Sequence, residues 1–368
     1  MGVGRLRPAA AGARDRLLRR GAAAPERGDA SHACAGPDGA PAGRRAAGAA
    51  GRQARGARPR RPAGRARKRG CRLRRPAAGL GCFMSAEPAS ERRLTDDGYW
   101  DGVHATEAQA WSGTRLRSRL KALLGPRLRE SMRAYEDYLL WDVILPPYLE
   151  GRRGQAAVEI GSAPGSFLTQ LHERFGLVPY GIEYSPPGAE LNRRLFASHG
   201  IDPGNVIEAD FFDPGLHQRH RERFDVVLSR GFIEHFADPE GAVRKHLDLL
   251  RPGGLLMVSV PNLRGLNLAL AWLLHREVVA MHNLEIMARP RFAALFPADL
   301  VEPLFCGYYG TFSFCLFNVR PGSLMRLPLA AGLKAQVALN ALFRGLLKDR
   351  GAESAWFSPN LLFVGIKR

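Results

Sequence analysis

The stretch Ala157-Val158-Glu159-Ile160-Gly161-Ser162-Ala163-Pro164-Gly165-Ser166-Phe167 constrains this chain more than any other. Val158 to Ile160 reads as a short buried strand and Gly161 to Gly165 as a tight turn. Ser166 onward, with Phe167, Leu168 and Leu171, reads as helix. Glycines at such a turn let the backbone approach a nucleotide-like ligand with no side chain in the way. The turn also aims a helix N-terminus, with its unpaired N–H groups, at whatever binds there. Any α/β domain contains strand–turn–helix units of this outline, so the turn alone does not decide.

The residues downstream narrow the choice. About 20 residues on, Glu183 ends the apolar run Tyr180-Gly181-Ile182, where a carboxylate is placed to accept hydrogen bonds from ribose hydroxyls. A nicotinamide-cofactor turn would read G-x-G-x-x-G. Here the spacing is Gly161-x-x-x-Gly165, with Ala163 in the place of the middle glycine. That argues against a pyrophosphate and for a nucleoside without phosphate, a description that S-adenosylmethionine meets.

Five motifs then occur in one order: Glu159-x-Gly161-x-x-x-Gly165-x-Phe167; Glu183; Asp210; Phe224 to Leu228 with Glu234-His235 beyond it; and Leu250-Arg251-Pro252-Gly253-Gly254. Together they resemble the class I S-adenosylmethionine-dependent methyltransferases, most nearly those acting on small molecules, lipids and glycans. The resemblance runs from about 155 to 262. It implies an α/β, Rossmann-like, seven-stranded methyltransferase sheet with an antiparallel last strand, plus helical N-terminal and cap segments. It places Glu159, Gly161, Ser162, Ala163, Gly165, Phe167, Glu183, Tyr184, Asp210, Phe211 and Ser229 in the cofactor site. Within that set, Asp210 would accept a hydrogen bond from the adenine amino group and Phe211 would flank the ring. Asp210 also reads as a turn residue, since Asp213-Pro214-Gly215 lies just beyond it. Pro252-Gly253-Gly254 has a mechanical part only, stopping a helix and reversing the chain.

Charge divides the chain in two. Residues 1–83 hold 21 Lys and Arg against 4 Asp and Glu, whereas the remaining 285 residues hold 33 against 31. The near-neutral body gives no reason to expect a nucleic-acid partner. The first 83 residues, mostly Ala, Arg, Gly and Pro, read as a disordered extension. They contain no continuous apolar h-region, so a secretory signal is not expected and a cytoplasmic location is. The abrupt change at Met84 suggests that translation begins there. Five scattered cysteines without a C-x-x-C pattern suggest neither a disulfide framework nor a zinc site.

Residues 84–150 read as a helical N-terminal segment, including a basic amphipathic stretch from Arg115 to Leu124 and a helix from Leu128 to Leu145 that Pro146-Pro147 stops. By resemblance, such helices cover the cofactor and help form the substrate pocket. The methyltransferase domain then occupies 151–368. Its strands are expected at 158–160, 178–182, 206–210, 224–228, 255–260, 311–317 and 360–366, the last two forming the antiparallel pair. Helical cap insertions are expected at about 263–300 and 320–355. Leu324 to Leu347 is apolar with scattered positive charges. It reads either as a helical pair packed on the domain or as a basic amphipathic surface in peripheral contact with a membrane, receiving a lipid-linked acceptor.

Methyl transfer from a sulfonium needs positioned reactants and, for a hydroxyl acceptor, removal of a proton. His235, His282 and Glu234 are the candidate bases, histidine being suited by its near-neutral pKa. No triad and no carboxylate cluster for Mg²⁺ is apparent, so no metal is expected. The resulting expectation is methylation of a small-molecule, glycan or lipid-linked acceptor, most readily at oxygen. The contrasting readings are an RNA methyltransferase, since Ala163-Pro164-Gly165 also resembles the turn of ribose 2′-O-methyltransferases, and a non-catalytic cofactor-binding scaffold.

Overall fold

A computed structural model describes residues 92–95, 98–113, 133–319 and 322–368, all within one compact unit. The extension 1–83, Met84 and the stretch Arg115–Leu124 lie outside the described residues.

Seven strands form one sheet: β1 Ala156–Ile160, β2 Val178–Glu183, β3 Val206–Glu208, β4 Phe224–Arg230, β5 Leu250–Pro261, β6 Val301–Tyr309 and β7 Asn360–Lys367. Their order is β3-β2-β1-β4-β5-β7-β6. β1 to β5 pair in parallel, and β7 runs antiparallel to both of its neighbours. This is the arrangement expected from the sequence. The strand order reverses between β1 and β4, so their carboxyl ends open a crevice where α/β sheets bind ligands.

Both sheet faces are covered, which is why the strands read as continuous apolar runs. Val158, Ile160, Val227, Leu256 and Val258 face one core, and Ala157, Val226, Leu228, Leu255 and Met257 the other. The helices between strands start on local signals. Ser185 caps the helix Pro186–Ser198, Asp213 caps Pro214–His220 and Asp238 caps Pro239–Leu249, each with proline in the first turn. The Arg251–Gly254 segment is a bulge inside β5, across which the register with β4 jumps from Leu250 to Leu255.

Three expectations need correction. Thr311 to Phe317 is not a strand; the sixth strand is Val301–Tyr309. The alternating residues Phe312, Phe314 and Leu316 instead pack, with Phe317, into a separate small core with Leu263, Ala271, Met287 and Leu329. Hydrogen bonds from Gln336 to the Phe312 carbonyl and from the Phe314 N–H to Gln336 satisfy the backbone that a sheet would have paired. The segment Leu324–Leu347 is not a helical pair but one 22-residue helix, Arg326–Leu347. It and the helix Leu266–Ala280, which breaks at His275, meet on that small core and form the cap. The N-terminal helix expected to end at Pro146 continues through a π-turn, Leu139–Ile144, into a short helix, Pro146–Leu149.

Candidate active site

A cleft of about 790 Å³ opens at the carboxyl ends of β1, β2 and β4. Of the residues singled out in the sequence, Gly161, Ala163, Glu183, Tyr184, Asp210, Phe211 and His235 line it. Glu159, Ser162, Gly165, Phe167, Ser229, Glu234 and His282 do not.

Glu183 is the buried carboxylate of this cleft. Its Oε2 accepts from the Ala163 N–H at 3.2 Å and its Oε1 from the Ser185 N–H at 2.9 Å. A carboxylate has about four acceptor positions, so further hydrogen bonds can still be accepted. Burial raises its pKa above the ordinary value, and the bonds from Ser185 and Ala163 pull it back. Beside it, Gly161 has φ +67°, and a Cβ there would enter the cleft and meet the Phe232 ring at 3.1 Å. A bare backbone cradle next to a buried carboxylate with spare acceptor capacity fits a ribose and the chain it carries.

Asp210 lies just past β3 and is more exposed. Its Oδ1 accepts from the Phe212 N–H at 2.9 Å, closing the turn, and its Oδ2 pairs with Arg93 at 2.5 Å. Asp210 thus closes a turn and also lines the cleft. Arg93 also lies 4.6 Å over the Tyr184 ring. It reaches the site because residues 92–94 run beside the β4–helix loop: Leu94 N–H donates to His235 O at 2.7 Å and Ala237 N–H to Arg92 O at 3.0 Å.

The residues outside the cleft shape it from behind. Gly165 has φ +93° and opens the helix Ser166–Phe175; a Cβ there would lie 2.2 Å from Asn192 Oδ1. The same Asn192 donates to Ser162 Oγ at 2.6 Å. Buried Glu159 accepts from Arg230 Nε at 3.2 Å, and burial drives its pKa up to about 7 despite that partner. Phe167 and Ser229 border a second cavity of about 240 Å³, and Arg230, which lies 4.3 Å over Phe167, lines both cavities.

The same cleft has a strongly aromatic lining: Trp100, Phe232 and Phe236, with His104 and His235. Trp100 and His104 come from the helix Tyr99–Gly113. It approaches closely because Gly188 lacks a side chain; a Cβ there would meet His104 at 2.8 Å. Sequence reasoning expected N-terminal helices here without singling out Arg93, His104, Arg230, Phe232 or Phe236. Arg230, Phe232 and Phe236 share the end of β4 and the loop after it, to which only the folded chain brings Arg93 and His104.

The three candidate bases come together. Glu234 and His235 sit on a short turn, Ile233–His235, after β4. His282 arrives from the cap, tied down by the Asn283 N–H donating to Glu234 O at 2.7 Å. The imidazole centroids are 4.6 Å apart, and His235 Nε2 is 3.8 Å from Glu234 Oε1. Burial pushes the Glu234 carboxyl up to about 8, and burial with the neighbouring His282 lowers His235 to about 4.

Residues 115–294 match the model of a family described as a methyltransferase domain. Among curated relatives, ubiquinone biosynthesis O-methyltransferases align with part of the chain. The protein from Shewanella sp. is 26% identical over 110 residues, covering 30% of this chain and 44% of the relative. That from Ruegeria pomeroyi is 47% identical over 126 residues, covering 34% and 48%. That from Cupriavidus pinatubonensis is 29% identical over 165 residues, covering 42% and 64%. The chain thus spans about half the length of these relatives. A solved S-adenosylmethionine-dependent methyltransferase from Thiobacillus denitrificans overlays at a TM-score of 0.38 and 17% identity, over 65% of this chain and 93% of that one. Residues 115–294 thus carry a methyltransferase domain, and the sheet order and cleft are those that the resemblance to class I S-adenosylmethionine-dependent methyltransferases implies. The chain's cofactor is S-adenosylmethionine, and the residues of the cleft fit that molecule.

Proposed function

We propose that this protein methylates an oxygen of a small-molecule acceptor with apolar or lipid-like character. The observation that carries this reading is the pairing of polar groups with an aromatic lining in one cleft. Glu183, the Gly161 cradle and Asp210 are polar groups suited to a nucleoside, while Trp100, Phe232 and Phe236 add aromatic surface, with His235 also in the lining. The relatives named ubiquinone biosynthesis O-methyltransferase support oxygen as the acceptor atom.

When bound, S-adenosylmethionine supplies an electrophilic methyl group on a positively charged sulfur. Glu183 would hold the ribose, with Asp210 and Phe211 at the adenine. The aromatic side chains would exclude water and orient the acceptor. His235 is the one candidate base lining the cleft. Its Nδ1 lies 2.9 Å from Met281 O, so the neutral ring keeps its proton there and offers Nε2 as the lone-pair nitrogen. With its pKa held near 4, His235 stays neutral and is a weak proton acceptor at physiological pH.

The cap supports a lipid-like acceptor or a membrane source for it. Trp272, Leu273, Leu324, Leu327 and Leu346 are each more than 60% exposed, large apolar side chains that a lipid or membrane surface could cover. No described helix is long and apolar enough to cross a membrane. The test is direct: the purified chain is titrated with S-adenosylmethionine, then incubated with methyl-labelled cofactor and separate polar and lipid extracts. Label in an apolar product with an alkali-stable O-methyl ether supports the reading. Label only in polar products or RNA, or no cofactor binding, overturns it.

A further inference from the structure

We infer that Glu234, His235 and His282 form a binding site for a divalent metal ion of the zinc type, set into the wall of the cleft. The three residues offer ligand atoms that all lie within 4.8 Å of one another. The geometry carries three independent marks of such a site.

The first is the carboxylate. Glu234 is fully buried, and apart from its own backbone N–H neither of its oxygens has a hydrogen-bond partner. A buried carboxylate normally has its oxygens hydrogen-bonded or paired with a cation, since leaving them bare is costly. Here the other groups within reach are two imidazoles.

The second is the orientation of those imidazoles. His235 Nδ1 lies 2.9 Å from Met281 O, and His282 Nδ1 lies 2.6 Å from Val278 O. A carbonyl oxygen only accepts, so each ring must keep its proton on Nδ1. Both Nε2 lone pairs are then fixed and available. A ring nitrogen donating to a carbonyl while the other faces a metal is the usual outer support of metal-binding histidines.

The third is rigidity and access. The backbone bond from Asn283 to Glu234 locks the cap segment to the β4 loop, and the Trp100 indole packs edge-on to His235 at 5.4 Å. Access is through the cleft wall. His235 and Gly231 both line the cleft, and a Cβ on Gly231 would meet Glu234 Oε1 at 3.4 Å. Three protein ligands leave a coordination position open, as in catalytic rather than structural zinc sites. Two imidazoles with one carboxylate suit a first-row transition ion, whereas Mg²⁺ prefers oxygen ligands. An ion here would meet an acceptor hydroxyl and lower its pKa, a role that rests on the methyl-transfer reading; the ion site itself does not.

The experiment uses the untagged full chain, stripped with chelator and dialysed. Zn²⁺ is titrated calorimetrically, Co²⁺ is titrated by visible absorption, and Mg²⁺ serves as the hard-ion control. The expected result is one Zn²⁺ per chain, Co²⁺ bands of a tetrahedral or five-coordinate centre, and no comparable Mg²⁺ uptake. Glu234→Gln and His282→Ala should each weaken Zn²⁺ binding beyond the roughly 10–100-fold that losing an outer partner costs. Absence of stoichiometric uptake by the wild-type chain overturns the inference whether or not a variant folds. So does unchanged Zn²⁺ affinity in both variants. Cofactor binding by the stripped wild-type chain is measured in parallel. Its loss would count against the methyltransferase reading and leave the ion site standing.

Discussion

Glu183→Ala is the substitution on which the cofactor assignment depends most. The carboxylate is buried at the end of β2, and its two oxygens already accept from the Ala163 and Ser185 N–H groups. Two ribose hydroxyls would take remaining acceptor positions. Charge-assisted hydrogen bonds of this kind contribute about 1.5–3 kcal/mol, so the variant should bind S-adenosylmethionine about 10- to 100-fold more weakly. The same truncation strips the acceptor from two backbone donors beside the turn. Thermal stability should therefore fall as well, by roughly 1–3 kcal/mol for each donor left dry and less if water enters. Titration calorimetry and a melting curve separate the two effects. A pH series adds a third signature. Burial raises the Glu183 pKa, so wild-type affinity should begin to fall on acidification at a higher pH than for an ordinary glutamate. The Ala variant should lack that limb. A folded Glu183→Ala protein with wild-type affinity would refute the placement of the ribose, and with it the cofactor pose.

Gly165→Ala should destabilise the chain by about 2–4 kcal/mol, combining a left-handed backbone with a clash against Asn192; a melting temperature within a degree of wild type would contradict it. Arg93→Ala should speed cofactor dissociation severalfold, because Arg93 pairs with Asp210 and covers Tyr184, and Asp210→Ala should weaken binding less than Glu183→Ala; stopped-flow fluorescence reads both. Glu159 has a folded-state pKa of about 7 against an unfolded 4.5, so its contribution to stability is present below pH 4.5 and lost as pH rises through 7. Glu159→Gln should accordingly gain on wild type between pH 5 and 8, by at most about 3 kcal/mol, in urea melts. Co-sedimentation with anionic vesicles should weaken with salt and on changing Leu327 and Leu346 to Ser; binding that is absent or indifferent to both returns the cap to ordinary packing.

The cofactor residues of the cleft were legible because they are local. Gly161, Ala163 and Glu183 are set by a turn and the two strands it joins, and strand spacing is written in hydrophobic runs. The sixth strand was hidden because its residues contradict its fold locally. Val301–Tyr309 contains Pro303 and Gly307, which argue against a strand in isolation. Pairing with β7 overrides that preference. Pro303 is tolerated because β6 is the edge of the sheet and its register slips between Pro303 and Phe305. Thr311 to Phe317 alternates as a strand should, yet its phenylalanines are buried by helices of the cap. Periodicity states that a face is apolar, not what covers it.

The grouping of the candidate bases was hidden by sequence distance rather than by weak patterning. His235 and His282 were each visible as a near-neutral titrating group, and each invited the role of a lone base. The fold makes that role hard to sustain for either one. Each ring keeps its proton on Nδ1 and offers Nε2, but burial lowers both pKa values and so weakens either ring as a proton acceptor. What two buried neutral imidazoles beside a buried carboxylate do well is share a cation, and a cation does the work of a base by acidifying the hydroxyl itself. The two roles predict different pH–rate profiles. A base of pKa near 4 would leave the rate flat from pH 5 to 8 in buffer with chelator. An ion-bound hydroxyl would give a rate that rises with pH through its own lowered pKa and vanishes on chelation. A flat, chelator-resistant profile would return His235 to simple positioning of the acceptor.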